Sequence, residues 1–142
     1  MVGTDAGVDA EGGTAPSTTD PDGAPDISAA RRMVMDDIRT LLWSGKVLHD
    51  AIRSDRDVLL TGLDLLATDL PMVEVLRITE AGARRQHLSA RLQEFEACRH
   101  RLRLSIAAAG TEEDMTVAEI GRALEVSRQL AGRYLKEANQ RP

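Results

Sequence analysis

The sequence predicts an all-α protein, and three observations support this. Aromatic residues make up only 2% of the chain, so the core must be built from aliphatic side chains, a composition typical of packed helices rather than sheets. Apolar residues after residue 28 recur at spacings of three and four, the period of an amphipathic helix. A chain of 142 residues has room for one modest core, which argues against a large enzyme cavity.

Charge is distributed unevenly along the chain. Residues 1–26 contain no Lys or Arg and six acidic residues, namely Asp5, Asp9, Glu11, Asp20, Asp22 and Asp26. They also contain almost no large apolar residue, so we predict a disordered acidic tail that cannot offset the entropy of ordering. Because the whole chain has a net charge of −5, residues 27–142 carry a net charge of +1.

Composition also bears on the compartment. The single cysteine, Cys98, cannot form an internal disulfide. The N-terminus does not have the pattern of a signal peptide, and no apolar run is long enough to span a membrane. We therefore expect a soluble, cytoplasmic protein.

Residues 27–98 are predicted to form a helical packing or dimerisation region. Asp26 or Ser28 is expected to cap a first helix that ends near Arg53. Ser54 followed by Asp57 resembles a capping box, which predicts the start of a second helix that ends near residue 68. One face of each helix is apolar, with Val34, Ile38, Leu41, Leu48 and Ile52 on the first and Leu59, Leu63, Leu66 and Leu70 on the second.

A third helix is predicted to begin after Asp69 and Pro71 and to end at Gly110 as a left-handed cap. One row of this helix, apolar except for Arg85 and Arg99, alternates strictly by three and four residues through Ile78, Ala81, Arg85, Leu88, Leu92, Phe95, Arg99, Leu102 and Ile106. This row is either an ordinary core face packed on the first two helices or the seam of a coiled-coil homodimer.

Residues 99–142 contain a pair of short helices. Thr116 and Glu119 form a capping box that predicts one helix, and Ser127 is a good N-cap for the next helix, which reaches about Ala138. Apolar or small residues lie at Ile120, Gly121, Leu124, Val126, Ala131 and Tyr134. In this register, residues 116–138 resemble the helix-turn-helix of bacterial repressors and promoter-recognition factors.

The resemblance implies a specific local geometry. Gly121 would be the small residue where the two helices cross, and Ala131 would face it from the second helix. The family usually has glycine at the left-handed position of the turn. This sequence has Glu125 there, at a cost of about 1 kcal/mol.

The resemblance also implies a recognition helix, residues 127–138, that enters the major groove of double-stranded DNA. Arg128, Gln129 and Arg133 would contact base edges. Ser127, Lys136 and Arg122 would contact phosphates. The implied fold is a helical bundle or coiled-coil body with a C-terminal helix-turn-helix, and the implied function is sequence-specific transcriptional regulation in a bacterium.

Two other functions remain open. Helices 28–109 could bind a protein partner, such as RNA polymerase or a phage or cell-cycle factor, with the terminal motif only anchoring the protein to DNA. A coiled-coil adaptor that never contacts DNA is the second alternative. The acidic tail is either a solvated leader or an arm that competes with DNA for the basic surface.

The sequence gives no sign of catalysis. His49, His87 and His100 are scattered, and Glu94 and Glu96 point in different directions on a helix, so neither set forms a metal site or an acid–base pair. We expect no enzyme activity, no metal and no cofactor.

Overall fold

The computed structural model describes residues 27–141, which form five α-helices and no strand. The helices are α1 (Ala29–Leu66), α2 (Met72–Ile78), α3 (Ala81–Glu112), α4 (Val117–Ala123) and α5 (Arg128–Ala138). The predicted all-α class is confirmed. The predicted acidic tail lies outside the described residues.

Helix α1 is much longer than the sequence suggested. Ser28 caps it, and its hydroxyl oxygen accepts a hydrogen bond from the Arg31 N–H at 3.2 Å. The predicted break at Ser54 is wrong, because the helix continues through 38 residues, or about 57 Å. The Ser54 carbonyl and hydroxyl oxygens instead accept hydrogen bonds from Arg84 at 2.7 and 3.2 Å. The capping-box match occurs here in a helix interior.

Helices α1 and α3 form a long antiparallel hairpin. The buried and half-buried rows alternate by three and four residues on both helices, as in a coiled coil. On α1 the row is Ala30, Val34, Asp37, Leu41, Ser44, Leu48, Ala51, Asp55, Val58, Gly62 and Leu65, and on α3 it is Ala81, Arg84, Leu88, Arg91, Phe95, Cys98, Leu102 and Ser105. Arg84 Nε lies 3.2 Å from Asp55 Oδ1 across this interface.

The predicted seam on the third helix is only partly correct. Its register fails because the predicted helix is interrupted at residues 79–80, where Glu80 adopts a left-handed backbone with φ of 51°. Ile78 belongs to α2, and Arg85 and Leu92 are exposed. Since α3 packs on α1 of the same chain, the interpretation as an ordinary core face accounts for Ala81, Leu88, Phe95 and Leu102. Arg99 and Ile106 lie one residue beyond the row that faces α1.

Gly110 does not end the third helix, as the sequence had suggested. Helix α3 continues to Glu112, and the left-handed residue that follows is Asp114, with φ of 62°. Gly110 is buried, and a Cβ atom there would lie 3.2 Å from both Ile120 Cγ1 and Met115 Sδ. This glycine therefore permits close packing of α4 on α3.

Helices α4 and α5 pack on the C-terminal end of α3. Their shared core consists of Leu104, Ala107, Ile120, Ala131 and Tyr134. Two ion pairs connect this end to α1: Arg31 with Glu113 at 2.6 Å, and Arg141 with Asp37 at 3.5 Å, the latter without a hydrogen bond. Because α3 runs through residues 98 and 99, the predicted body and the C-terminal region share one helix.

Candidate functional site

The predicted capping box begins α4. The Thr116 backbone N–H and hydroxyl donate to Glu119 Oε2 at 2.8 and 2.7 Å, and the Glu119 N–H donates to Thr116 Oγ1 at 3.3 Å. The Thr116 hydroxyl and then its backbone N–H stabilise the charged carboxylate, so the pKa of Glu119 is lowered from its ordinary value. The cap fixes where α4 starts.

The turn between α4 and α5 places Glu125 in the left-handed region, with φ of 53°. This is the conformation that the sequence assigned to Glu125. The Val126 N–H donates to the Gly121 carbonyl at 2.9 Å, which closes the turn directly after Glu125. The strain of a non-glycine residue here is about 1 kcal/mol.

Gly121 lies where the two helices cross. A Cβ atom at this position would be 3.1 Å from the Val126 carbonyl oxygen and 3.6 Å from Ala131 Cβ. Both Gly121 and Ala131 are buried. The predicted roles of the two residues are confirmed, because any larger side chain would push the turn away from α4.

Helix α5 is held in one rotational orientation. Its N-cap, Ser127, accepts a hydrogen bond from the Leu130 N–H at 3.1 Å. Tyr134 is buried and packs edge-on against His100 of α3, with ring centroids 5.7 Å apart. His100 Nε2 in turn lies 2.8 Å from Glu137 Oε1. One face of α5 is thereby fixed on α3, and the opposite face is left to solvent.

All the side chains predicted to contact DNA are exposed. These are Arg122, Ser127, Arg128, Gln129, Arg133 and Lys136. Arg122 lies in the last turn of α4, and the others belong to α5 or its cap. Within residues 27–141, no carboxylate forms an ion pair with any of the four basic members of this set. We call this set the basic face.

Sequence reasoning missed Gly132, in the middle of α5. Helical spacing of four residues puts it between Arg128 and Lys136. A Cβ atom there would meet only Val117 Cγ1, at 3.9 Å, so packing does not require a glycine. Since glycine inside a helix costs about 1 kcal/mol, its presence could have been noticed as a local inconsistency.

Other chemistry can be tested against the described residues. Within residues 27–141, no cluster of three or more His, Cys, Asp or Glu could hold a metal ion. None of the helices in that range combines the length and apolar character needed to cross a membrane. No family model matches the chain, and no curated protein or solved structure is significantly similar to it.

Proposed function

We propose that the protein binds duplex DNA by inserting α5 into the major groove and acts as a sequence-specific regulator of transcription. The observation that carries this proposal is the basic face, which has four cations without an ion-pair partner among the described residues. Arg128, Arg133 and Lys136 lie with Gln129 on α5, whose opposite side is buried, and Arg122 lies on α4. A polyanion with hydrogen-bonding groups along a groove is the ligand that such a face fits.

The positions along α5 suggest a division of roles. Arg128 and Gln129 lie in the first turn, which is nearest to the base edges in related docking geometries. Arg128 or Arg133 can make a two-pronged contact with guanine and Gln129 with adenine, each worth about 1–3 kcal/mol of discrimination. Lys136 and Arg122 flank this region and are placed for phosphates.

Ser127 supports phosphate binding through the backbone of α5. Its hydroxyl oxygen is already occupied by the Leu130 N–H. The remaining free N–H groups of the first turn carry the positive end of the helix dipole, which favours an anion. We therefore assign Ser127 to the positioning of the helix start rather than to reading bases.

A salt series tests the proposal. We expect binding of a fluorescent random duplex to weaken with a slope of about −3 to −4 in log K against log salt, because about four phosphates would be neutralised. The double variant Arg128→Ala/Arg133→Ala should lower affinity at least 10-fold and reduce the slope by about 2.

The control is Arg39→Ala/Arg77→Ala, which removes the same charge from exposed sites on α1 and α2. Equal losses in both double variants would mean that only net charge matters and would contradict the assignment to α5. Absence of binding at about 50 mM salt would refute DNA binding. It would favour instead a body that only docks proteins.

A further inference from the structure

A large apolar surface is exposed at the end of the hairpin farthest from α5. Of the sixteen large apolar residues that are exposed among the described ones, eleven lie between residues 52 and 92. They include Leu59, Leu63 and Leu66 of α1, Met72 and Leu76 of α2, and Leu92 of α3. We call this surface the tip face. Apolar patches of this extent mark interaction sites in soluble proteins.

The tip face contains a groove. The groove has a volume of about 710 Å³ and runs between α1, α2 and α3, with Arg56 and Arg85 among its lining residues. Its walls remain open to solvent: Leu59 is 65% exposed and Leu63 64% exposed. A small-molecule site would enclose most of its ligand, so this groove fits a macromolecular surface better.

We propose that a second copy of this chain covers the tip face in a two-fold symmetric dimer. Helix α1 carries a second row at heptad spacing through Ile52, Arg56, Leu59, Leu63 and Leu66, displaced by one residue from the row that faces α3. A helix with two adjacent heptad rows packs against two other helices, as in a four-helix bundle. Within residues 27–141 the second row meets only the seven-residue α2, which leaves Leu59 and Leu63 exposed, so a second hairpin supplies the missing long partner.

The size of the tip face agrees with this assignment. Eighteen residues line the groove, and further exposed residues, such as Val73, extend the surface onto the outer side of α2. Stable interfaces use about 20–30 residues on each partner. In a two-fold dimer each copy presents the same patch, so the exposed α1 side chains Leu59 and Leu63 of one chain can enter the groove of the other.

Charge at the groove argues against a strongly basic partner. The charged residues that line it are Asp55, Arg56, Arg84 and Arg85, and Asp55 pairs with Arg84 at 3.2 Å. The two remaining cations, Arg56 and Arg85, are exposed, so water can solvate them at the edge of a dimer interface.

The dimer does not depend on the proposed DNA binding. The tip face and the basic face lie at opposite ends of the hairpin. Arg31 and Asp37, the α1 residues that pair with the docking end, precede Leu63 by 32 and 26 residues, which is about 40–48 Å along the helix. A failed DNA-binding assay would therefore leave the dimer standing, and a monomeric protein would leave α5 free to bind DNA.

Sedimentation velocity over about 1–100 μM tests the proposal. We expect the full chain to sediment with twice the chain mass of 15.4 kDa, and Leu59→Glu/Leu63→Glu to weaken dimerisation at least 100-fold. Met33→Glu/Trp43→Glu, which replaces two exposed apolar residues of α1 outside the tip face, should leave the dimer intact.

Circular dichroism on the same samples separates dissociation from unfolding. If helicity falls in the double variant, the milder Leu63→Gln takes its place in the comparison. A monomeric wild-type protein at 100 μM overturns the proposal. So does a dimer that the tip-face variant does not weaken, or an assembly that grows beyond two chains.

Discussion

The two ends of the α1–α3 hairpin solve the same packing problem differently. Where α4 and α5 dock, Ala107 and Ala131 are fully buried and Ile120 is 2% exposed. At the tip, α2 is the only other described helix, and Leu59 and Leu63 remain about two-thirds exposed. Two short helices complete the core at one end of α3, whereas one short helix leaves it incomplete at the other.

The largest difference between the ends should appear in truncations to alanine. Ile120→Ala is expected to destabilise the protein by about 3 kcal/mol, because it removes buried methyl groups and leaves a cavity. Leu63→Ala should cost less than about 0.5 kcal/mol at nanomolar concentration, where the side chain faces water. Urea denaturation measures both.

Repeating this measurement at high protein concentration sharpens the comparison. If the tip face is covered by a second chain, the cost of Leu63→Ala should rise with concentration, since dimerisation stabilises the folded state by mass action. The loss of unfolding free energy caused by Ile120→Ala, measured relative to the wild type, should not depend on protein concentration. Equal losses of unfolding free energy for the two variants at nanomolar concentration would contradict the contrast between the buried core at Ile120 and the exposed surface at Leu63.

A smaller effect is expected from adding a side chain at a glycine. Gly121→Val should destabilise by about 2–3 kcal/mol, because even its Cβ would be 3.1 Å from the Val126 carbonyl oxygen. Gly82→Val is the matched change near the tip, where nothing lies within 4 Å of a new Cβ, and it should be nearly neutral. Thermal unfolding followed by circular dichroism would show whether the α4–α5 crossing is the tighter of the two sites.

The α4–α5 end was predictable because its signals are local. The capping box at Thr116, the N-cap at Ser127 and the small residue at Gly121 each act over a few residues, and their roles are the ones the structure shows. The left-handed backbone at Glu125 was also foreseen, from the register of the turn. No local signal of this kind identifies the ligand of this end, so DNA binding by the basic face is a proposal.

The hairpin was harder to predict, because its prediction depends on the heptad phase of long rows of residues. Ser54 matches a capping box, yet the rows on either side of it keep one continuous heptad phase, which only packing against α3 explains. The break falls at Thr79 and Glu80, neither of which is a glycine or a proline, although Glu80 has a left-handed backbone. Once that break is missed, the phase of the following row is misjudged, and Arg84 and Arg91 are not recognised as facing α1.

A substitution at Gly132 should separate packing from binding. Gly132→Ala is expected to stabilise the protein by about 0.5–1 kcal/mol, because it restores helix propensity where a Cβ would meet only Val117 at 3.9 Å. If α5 approaches DNA closely, the same methyl group should weaken DNA binding. Gly82→Ala, in the first turn of α3, should leave DNA affinity unchanged. Unchanged affinity for both variants would argue against a close approach of the α5 backbone.

The smallest expected effect is a pH dependence at the α4 cap. Hydrogen bonds from Thr116 hold the pKa of Glu119 below its ordinary value of 4.5, so this carboxylate contributes stability above pH 4.5 that is lost as the pH falls through its lowered pKa. Glu119→Gln keeps an acceptor for the capping box but removes the titration. The difference in unfolding free energy between the two proteins should therefore shrink on acidification.

Asp50, on α1 of the hairpin, provides the comparison for Glu119. Its pKa is also lowered, first by a hydrogen bond from Lys46 and then by the charge of Lys46, which lies 2.8 Å away. Because the donors to Glu119 are neutral, the effect of Glu119→Gln should persist at about 0.5 M salt, whereas the effect of Asp50→Asn should decline as salt screens the exposed pair. If the difference in unfolding free energy between the wild type and Glu119→Gln stays constant from pH 7 to pH 3, the lost interaction does not involve the ionised carboxylate.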